Sequence, residues 1–143
     1  MTDHYRIIII GGGPIGLACA LAAKKQGIDY LILEKGTVVN SLYNYPVNMT
    51  FFSTSERLEI GGVPFVTNLP KPKRAEALEY YRRVAQDNQI HLHLFEEVLE
   101  VKRTPEHEQQ RVFTIITTKK IYTADNIIVA TGFYDIPYLL NIP

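Results

Sequence analysis

The sequence holds a single cysteine, Cys19, and that scarcity removes several chemistries at once. One thiol cannot close an internal disulfide, complete a cysteine-based zinc site or form a CxxC redox pair within the chain. An excess of charge is also missing: 15 Lys and Arg face 15 Asp and Glu, for a formal net charge of zero. Nucleic-acid-binding domains usually carry a strongly basic face, so no nucleic-acid partner is expected. No apolar run approaches the ~20 residues of a membrane span. The opening Met-Thr-Asp-His-Tyr-Arg and the apolar residues 7–10 are too short for a signal-peptide core and have no A-x-A site. The expectation is a cytoplasmic protein with no membrane partner. Repeats and low-complexity tracts are lacking too. What is present is an ordinary globular composition, 46% hydrophobic and 21% charged over 143 residues. A chain of this size buries roughly two-thirds of its unfolded surface around one core.

Residues 5–10 form an unbroken β-branched run ending in glycines, the pattern of a central strand buried on both faces of a parallel sheet. Pro14 suits the first turn of a helix, residues 15–26 are rich in Ala and Leu, and Gly27 supplies a left-handed cap. Residues 30–33 are a second apolar run, so residues 5–34 read as one βαβ unit of the expected ~30 residues. Residues 35–69 show no sustained period, and long ordered loops of that kind are usually functional. A second helix is predicted from Pro72 to about Gln86, with Ala75, Leu78, Tyr81 and Ala85 as its apolar stripe. Ile90, Leu92 and Leu94 alternate with His91 and His93 as in a strand. Segments 97–103, 112–118 and 121–124 then read as a β-meander, with a polar turn over 104–110, and 127–130 as a further short buried strand. The fold class is α/β: a Rossmann-like parallel sheet with a three-stranded β-meander.

Gly11-Gly12-Gly13-Pro14-Ile15-Gly16 fits G-x-G-x-x-G. Gly11 allows the tight turn off the strand, Gly13 lets main chain approach a pyrophosphate, and Gly16 lets the helix pack closely on the strand. The anion then sits on a helix N-terminus, where free N–H groups and the dipole favour negative charge. Glu34 completes the motif at the end of the second strand, near the expected ~20-residue spacing. A carboxylate there accepts ribose hydroxyls and repels a 2′-phosphate, which points to FAD or NAD and away from NADP. Ala130-Thr131-Gly132 ends a buried strand, where ligands gather in open α/β sheets; taken alone it is equally an ordinary strand-to-loop turn.

Other features carry two readings each. His91 and His93 share a strand face that a metal could use, but no third ligand lies near in sequence and a solvated face is the plainer reading, so no metal is assigned. Lys71, Lys73 and Arg74 could meet an anionic substrate or simply form a wet helix start, and Arg82-Arg83 and Lys119-Lys120 read as wet surface. Tyr43, Tyr45, Phe51 and Phe52 could stack on a flavin ring, line a substrate path, or form the small core of a long loop.

The glycine loop, Glu34-Lys35, the run over residues 39–46 with 48–54, and Ala130-Thr131-Gly132-Phe133-Tyr134-Asp135-Ile136-Pro137 together resemble the bacillithiol disulfide reductases. These are thioredoxin-reductase-like FAD and NADPH oxidoreductases, and the likeness spans essentially the whole chain. The resemblance implies an FAD held at its pyrophosphate by Gly11, Gly13, Pro14, Ile15 and Gly16, and at its adenosine by Glu34 and Lys35. It places the Val98 backbone near the adenine, Ala130, Thr131 and Gly132 at the rest of the pocket, and Asn48 and Thr50 on the flavin side. Residues 1–143 then form the N-terminal portion of an FAD-binding domain, with an NADPH domain and a returning FAD segment beyond Pro143. The implied partner is a small disulfide or another electron acceptor; homo-oligomerisation stays open. Some family members carry a redox-active cysteine where this chain has Ile15, so a thiol step at that position is closed to this protein and no catalytic residue is assigned. Cys19, one turn later, reads as a small core thiol. A flavin-dependent monooxygenase and a non-catalytic dinucleotide-binding module are the alternatives.

Overall fold

The computed structural model describes residues 2–104, 112–134 and 140. The predicted turn at 105–110 and the segments 135–139 and 141–143, including Asp135-Ile136-Pro137, lie outside the described residues. Strands β1 (Asp3–Ile10), β2 (Tyr30–Leu33), β3 (Leu92–His93), β4 (Val98–Thr104), β5 (Val112–Thr117) and β6 (Ile121–Val129) form one sheet in the order β3-β2-β1-β6-β5-β4. β1 pairs in parallel with β2 and β6, and β2 with β3. β4, β5 and β6 pair antiparallel. All four residues of β2 are buried, as the unbroken apolar run requires of a strand covered on both faces.

The meander is not a separate layer. Segments 121–124 and 127–130, which the sequence presents as two strands, form one continuous strand that ends at Val129, one residue short of Ala130, and its first half pairs with both β5 and β1. The polar Asp125-Asn126 pair, which reads as a break, is tolerated because both residues are exposed. The Asn126 side chain donates to the Arg6 carbonyl at 3.3 Å. The sheet is therefore mixed, parallel on one side of β6 and antiparallel on the other.

Helix α1 (Pro14–Lys25) follows the glycine turn, α2 (Asn40–Asn44) and α3 (Ser55–Leu58) interrupt the aperiodic stretch, and α4 (Arg74–Asp87) is the second long helix. Gly27, at φ +64°, ends α1: its N–H donates to the Lys24 carbonyl at 3.0 Å and that of Ile28 to the Ala23 carbonyl at 3.0 Å. These two bonds form the left-handed cap expected of glycine. One core joins α1 and α4 to the sheet through Ile9, Leu17, Ala20, Ile32, Tyr80 and Val84; a second, on the other face, joins Ile8, Leu31, Leu33, Ile115 and Tyr122.

The buried stripe of α4 is shifted from its predicted phase. Ala77, Tyr80, Tyr81, Val84 and Ala85 are buried, whereas Ala75 is exposed and Leu78 half-buried. Two tyrosines can occupy this core because their hydroxyls are satisfied. Tyr80 donates to the Val63 carbonyl at 2.7 Å and Tyr81 to the Leu58 carbonyl at 2.8 Å. Phe65 stacks flat on Tyr80 with centroids 4.2 Å apart. Among the described residues no helix is long and apolar enough to cross a membrane.

Candidate functional site

The site grows from the C-terminal ends of three parallel strands. Ile10, Leu33 and Val129 lie side by side in the sheet. There the Gly11 N–H donates to the Leu33 carbonyl at 2.9 Å, and the Ala130 N–H donates to the Ile10 carbonyl at 2.8 Å. Gly11 turns the chain at φ +111°, and a Cβ there would lie 2.3 Å from the Ala130 carbonyl oxygen. A Cβ on Gly16 would stand 1.9 Å from the Gly11 carbonyl oxygen, so α1 meets the turn at main-chain distance. Gly13 differs: it has φ −76°, and an added Cβ would have no atom within 4 Å. Its side faces open space.

Pro14 opens α1, no acidic residue occupies the first turn, and the first intrahelical bond is that from the Leu17 N–H to the Gly13 carbonyl at 2.9 Å. The N–H groups of Ile15 and Gly16 precede it, and with the helix dipole they make this end attractive to an anion. Glu34, only 6% exposed, stands beside it. Its Oε2 accepts the Gly12 N–H at 2.7 Å and its Oε1 the Gly36 N–H at 2.8 Å. Each carboxylate oxygen has a second lone pair to offer.

A cleft of about 680 Å³ opens over these groups. Gly11, Gly13, Pro14, Ile15, Glu34, Lys35, Val98, Ala130, Thr131 and Gly132 line it. Gly16 lies behind the turn, not on the cleft wall. Asn48 and Thr50 are outside: Asn48 is exposed, and Thr50 forms an isolated β-bridge with Lys73. The cleft also takes Val39, Asn40, Ser41, Leu42, Tyr45, Glu97, Phe133 and Tyr134, none of them singled out above for this site except Tyr45 as an aromatic of open role. Val39 to Leu42 come to the wall because Val39, a β-branched residue, adopts φ 50° and ψ 49° and donates its N–H to the Gly12 carbonyl at 3.0 Å. No residue-type signal announces a left-handed valine, which is a conformational outlier.

The aromatics divide. Tyr45 lines the cleft, Phe51 packs against the core, Tyr43 lies outside under the Arg74 guanidinium, and Phe52 is 95% exposed. Cys19 is half-buried against the core. The two histidines are not a bare solvated face either. His93 Nδ1 lies 2.9 Å from the Tyr122 hydroxyl and 3.3 Å from Glu96 Oε2, while the exposed His91 meets Tyr5 edge-on. No group of three potential metal ligands occurs among the described residues.

Glu96 is the centre of that polar knot, 2% exposed, accepting from the Thr117 hydroxyl at 2.7 Å and the Tyr122 hydroxyl at 2.9 Å. Burial acts to raise its pKa, but these hydrogen bonds and the nearby His93 and Lys119 outweigh it and hold the carboxyl below its ordinary range. Tyr122 is pushed far up by burial and by donating to Glu96. The Glu96 N–H reaches the Glu34 carbonyl at 2.9 Å, fastening the knot to the cleft.

Residues 8–143 match the family described as pyridine nucleotide-disulphide oxidoreductase. The chain belongs to that family. Among its members, the chain is 50% identical over 138 residues to bacilliredoxin reductase Bdr of Bacillus subtilis, across 96% of this chain and 41% of that protein. The bacillithiol disulfide reductase Bdr (YpdA) from Staphylococcus aureus superposes with a TM-score of 0.90 at 47% identity, covering 99% of this chain and 42% of that one. The thiol-specific monooxygenase of Saccharomyces cerevisiae is more distant, 28% identical across 97% of this chain and 36% of that protein. The chain thus spans about two-fifths of the length of these Bdr relatives, and the likeness to bacillithiol disulfide reductases carried by the motifs holds over nearly all of it.

Proposed function

We propose that the cleft holds FAD and that the whole protein takes hydride from NADPH and passes electrons to a low-molecular-weight disulfide such as bacillithiol disulfide. The observation that carries this reading is the open side of Gly13 at the start of α1, with the Glu34 carboxylate beside it. The residues fit the group. The N–H groups at the head of α1 face the place of a diphosphate, and Glu34 keeps lone pairs for ribose hydroxyls while disfavouring a 2′-phosphate. The Val98 backbone is assigned to the adenine, and Thr131 and Gly132 to the remaining wall. When bound, the flavin supplies the redox chemistry; this chain binds it, orients it and excludes water along one side.

Ile15 is 67% exposed at the cleft and offers no thiol, so any covalent thiol step belongs to another part of the protein. In this reading residues 1–143 are one portion of the FAD-binding domain, the nicotinamide site lies elsewhere in the whole protein, and the location is the cytoplasm. Full-length protein should show a visible flavin spectrum that bleaches with NADPH under anaerobic conditions and recovers on adding bacillithiol disulfide. Lack of bound flavin would overturn the assignment. The distant monooxygenase likeness defines the second reading, in which NADPH oxidation would draw on oxygen in a substrate-dependent way.

A further inference from the structure

Of the charged residues at the opening of α4, Lys71 and Lys73 are exposed, as a wet surface requires, whereas Arg74 is half-buried against α2. Arg74 Nε donates to the Leu42 carbonyl at 3.0 Å, and the same guanidinium donates to the Tyr43 carbonyl and lies 5.7 Å from the centre of the Tyr43 ring. Those carbonyls belong to the last turn of α2, where a helix leaves C=O groups without intrahelical partners and its dipole is negative. The Arg74 N–H adds a bond to the Met49 carbonyl at 2.9 Å. Five residues of helix do not hold themselves together in isolation, and α2 starts from the disfavoured left-handed Val39. It is held by contacts to the rest of the fold: the buried Val39 and Leu42 side chains in the main core, the Val39 N–H on the Gly12 carbonyl at one end, and Arg74 at the other. Between them stand Asn40, Ser41 and Leu42, which line the cleft.

We propose that Arg74 is a positioning residue for the cleft: it latches the C-terminal end of α2, so that the wall formed by residues 39–42 stays in place against the glycine turn. The consequence for cofactor affinity rests on the FAD reading above; the latch itself does not.

The test is site-resolved hydrogen exchange and FAD titration on the full-length protein, comparing wild type with Arg74→Met and Arg74→Lys. In Arg74→Met the Tyr43 and Tyr45 amides, bonded within the α2 segment to Val39 and Leu42, should exchange at least about tenfold faster, with Leu17 and Ala130 unchanged. The FAD dissociation constant should rise by about tenfold. Arg74→Lys, which keeps the charge without the planar fork, should fall between, and it carries the test if Arg74→Met does not fold. Unchanged exchange at Tyr43 and Tyr45, or an equal rise at every amide, would overturn the latch. Faster exchange with unaltered FAD affinity would overturn the positioning role. If wild type binds no FAD, the cofactor reading fails by itself, and the exchange comparison still decides whether Arg74 holds α2.

Discussion

Glu34 acts on both sides of itself. Its two oxygens take the N–H groups of Gly12 and Gly36, and a Cβ on Gly12 would come within 3.0 Å of the Glu34 Cβ, so the carboxylate and the glycine turn are fitted to one another. Glu34→Ala should leave a buried Gly12 N–H unpaired and cost about 1–3 kcal/mol of stability, besides lowering FAD affinity. Urea denaturation and flavin fluorescence titration would measure the two losses; a variant as stable as wild type would contradict this double duty. Glu96 gives a pH dependence. Its folded-state pKa is depressed, so the stability it adds is present above the ordinary carboxylate value and is lost as pH falls through the folded one. Wild type should therefore lose more stability than Glu96→Gln between pH 7 and roughly pH 3.5, measured as denaturation midpoints at the two values; parallel losses would contradict the assignment.

At the same scale, Gly11 and Gly16 are legible in sequence because main chain stands where their Cβ would be, and Glu34 because the end of the second strand in this motif calls for a carboxylate. Val39, Asn40 and Ser41 are not, because their place on the wall depends on a left-handed valine and on an arginine 34 positions beyond Asn40 in the chain. The same dependence on distant partners puts Thr50 on a bridge to Lys73 instead of in the cleft.

Among the elements, those marked by apolar runs or glycine caps follow from the sequence, and the short helices α2 and α3 do not. β1, α1 and β2 are found near their expected limits since apolar runs and glycine caps mark them directly. The phase of α4 is harder to read, for tyrosine counts as apolar or polar according to whether a carbonyl waits for its hydroxyl. Tyr80→Phe tests that account: it would strand the Val63 carbonyl and the Ile60 N–H, each now bonded to the Tyr80 hydroxyl. The expected cost is about 1–3 kcal/mol, visible in a denaturation midpoint, while a neutral substitution would show that the hydroxyl does not matter. The join of the meander to the parallel strands is likewise invisible locally, since Asp125-Asn126 reads as a turn until β1 is seen beside it.

For the molecule as a whole, parallel pairing of β1 with β2 and β6 brings the loops after all three strands to one edge, where open α/β sheets place their ligands. The cleft at that edge unites segments from the start, middle and end of the chain. A ligand there should tie them together, and FAD at a hundred times its dissociation constant should stabilise the folded chain by about 2.7 kcal/mol, raising the thermal midpoint by roughly 10 °C. ADP, which carries the diphosphate and the adenosine, should stabilise in the same direction, and FMN much less.

The most direct test is a flavin fluorescence titration of full-length protein with FAD, wild type against Gly13→Ala. Alanine is compatible with φ −76° and meets no atom within 4 Å, so the variant should keep the wild-type thermal midpoint without ligand. Its methyl group would stand where the diphosphate approaches, and FAD affinity should fall by at least about tenfold. A wild-type protein that binds no FAD, or a Gly13→Ala variant that binds it equally well, would contradict the account.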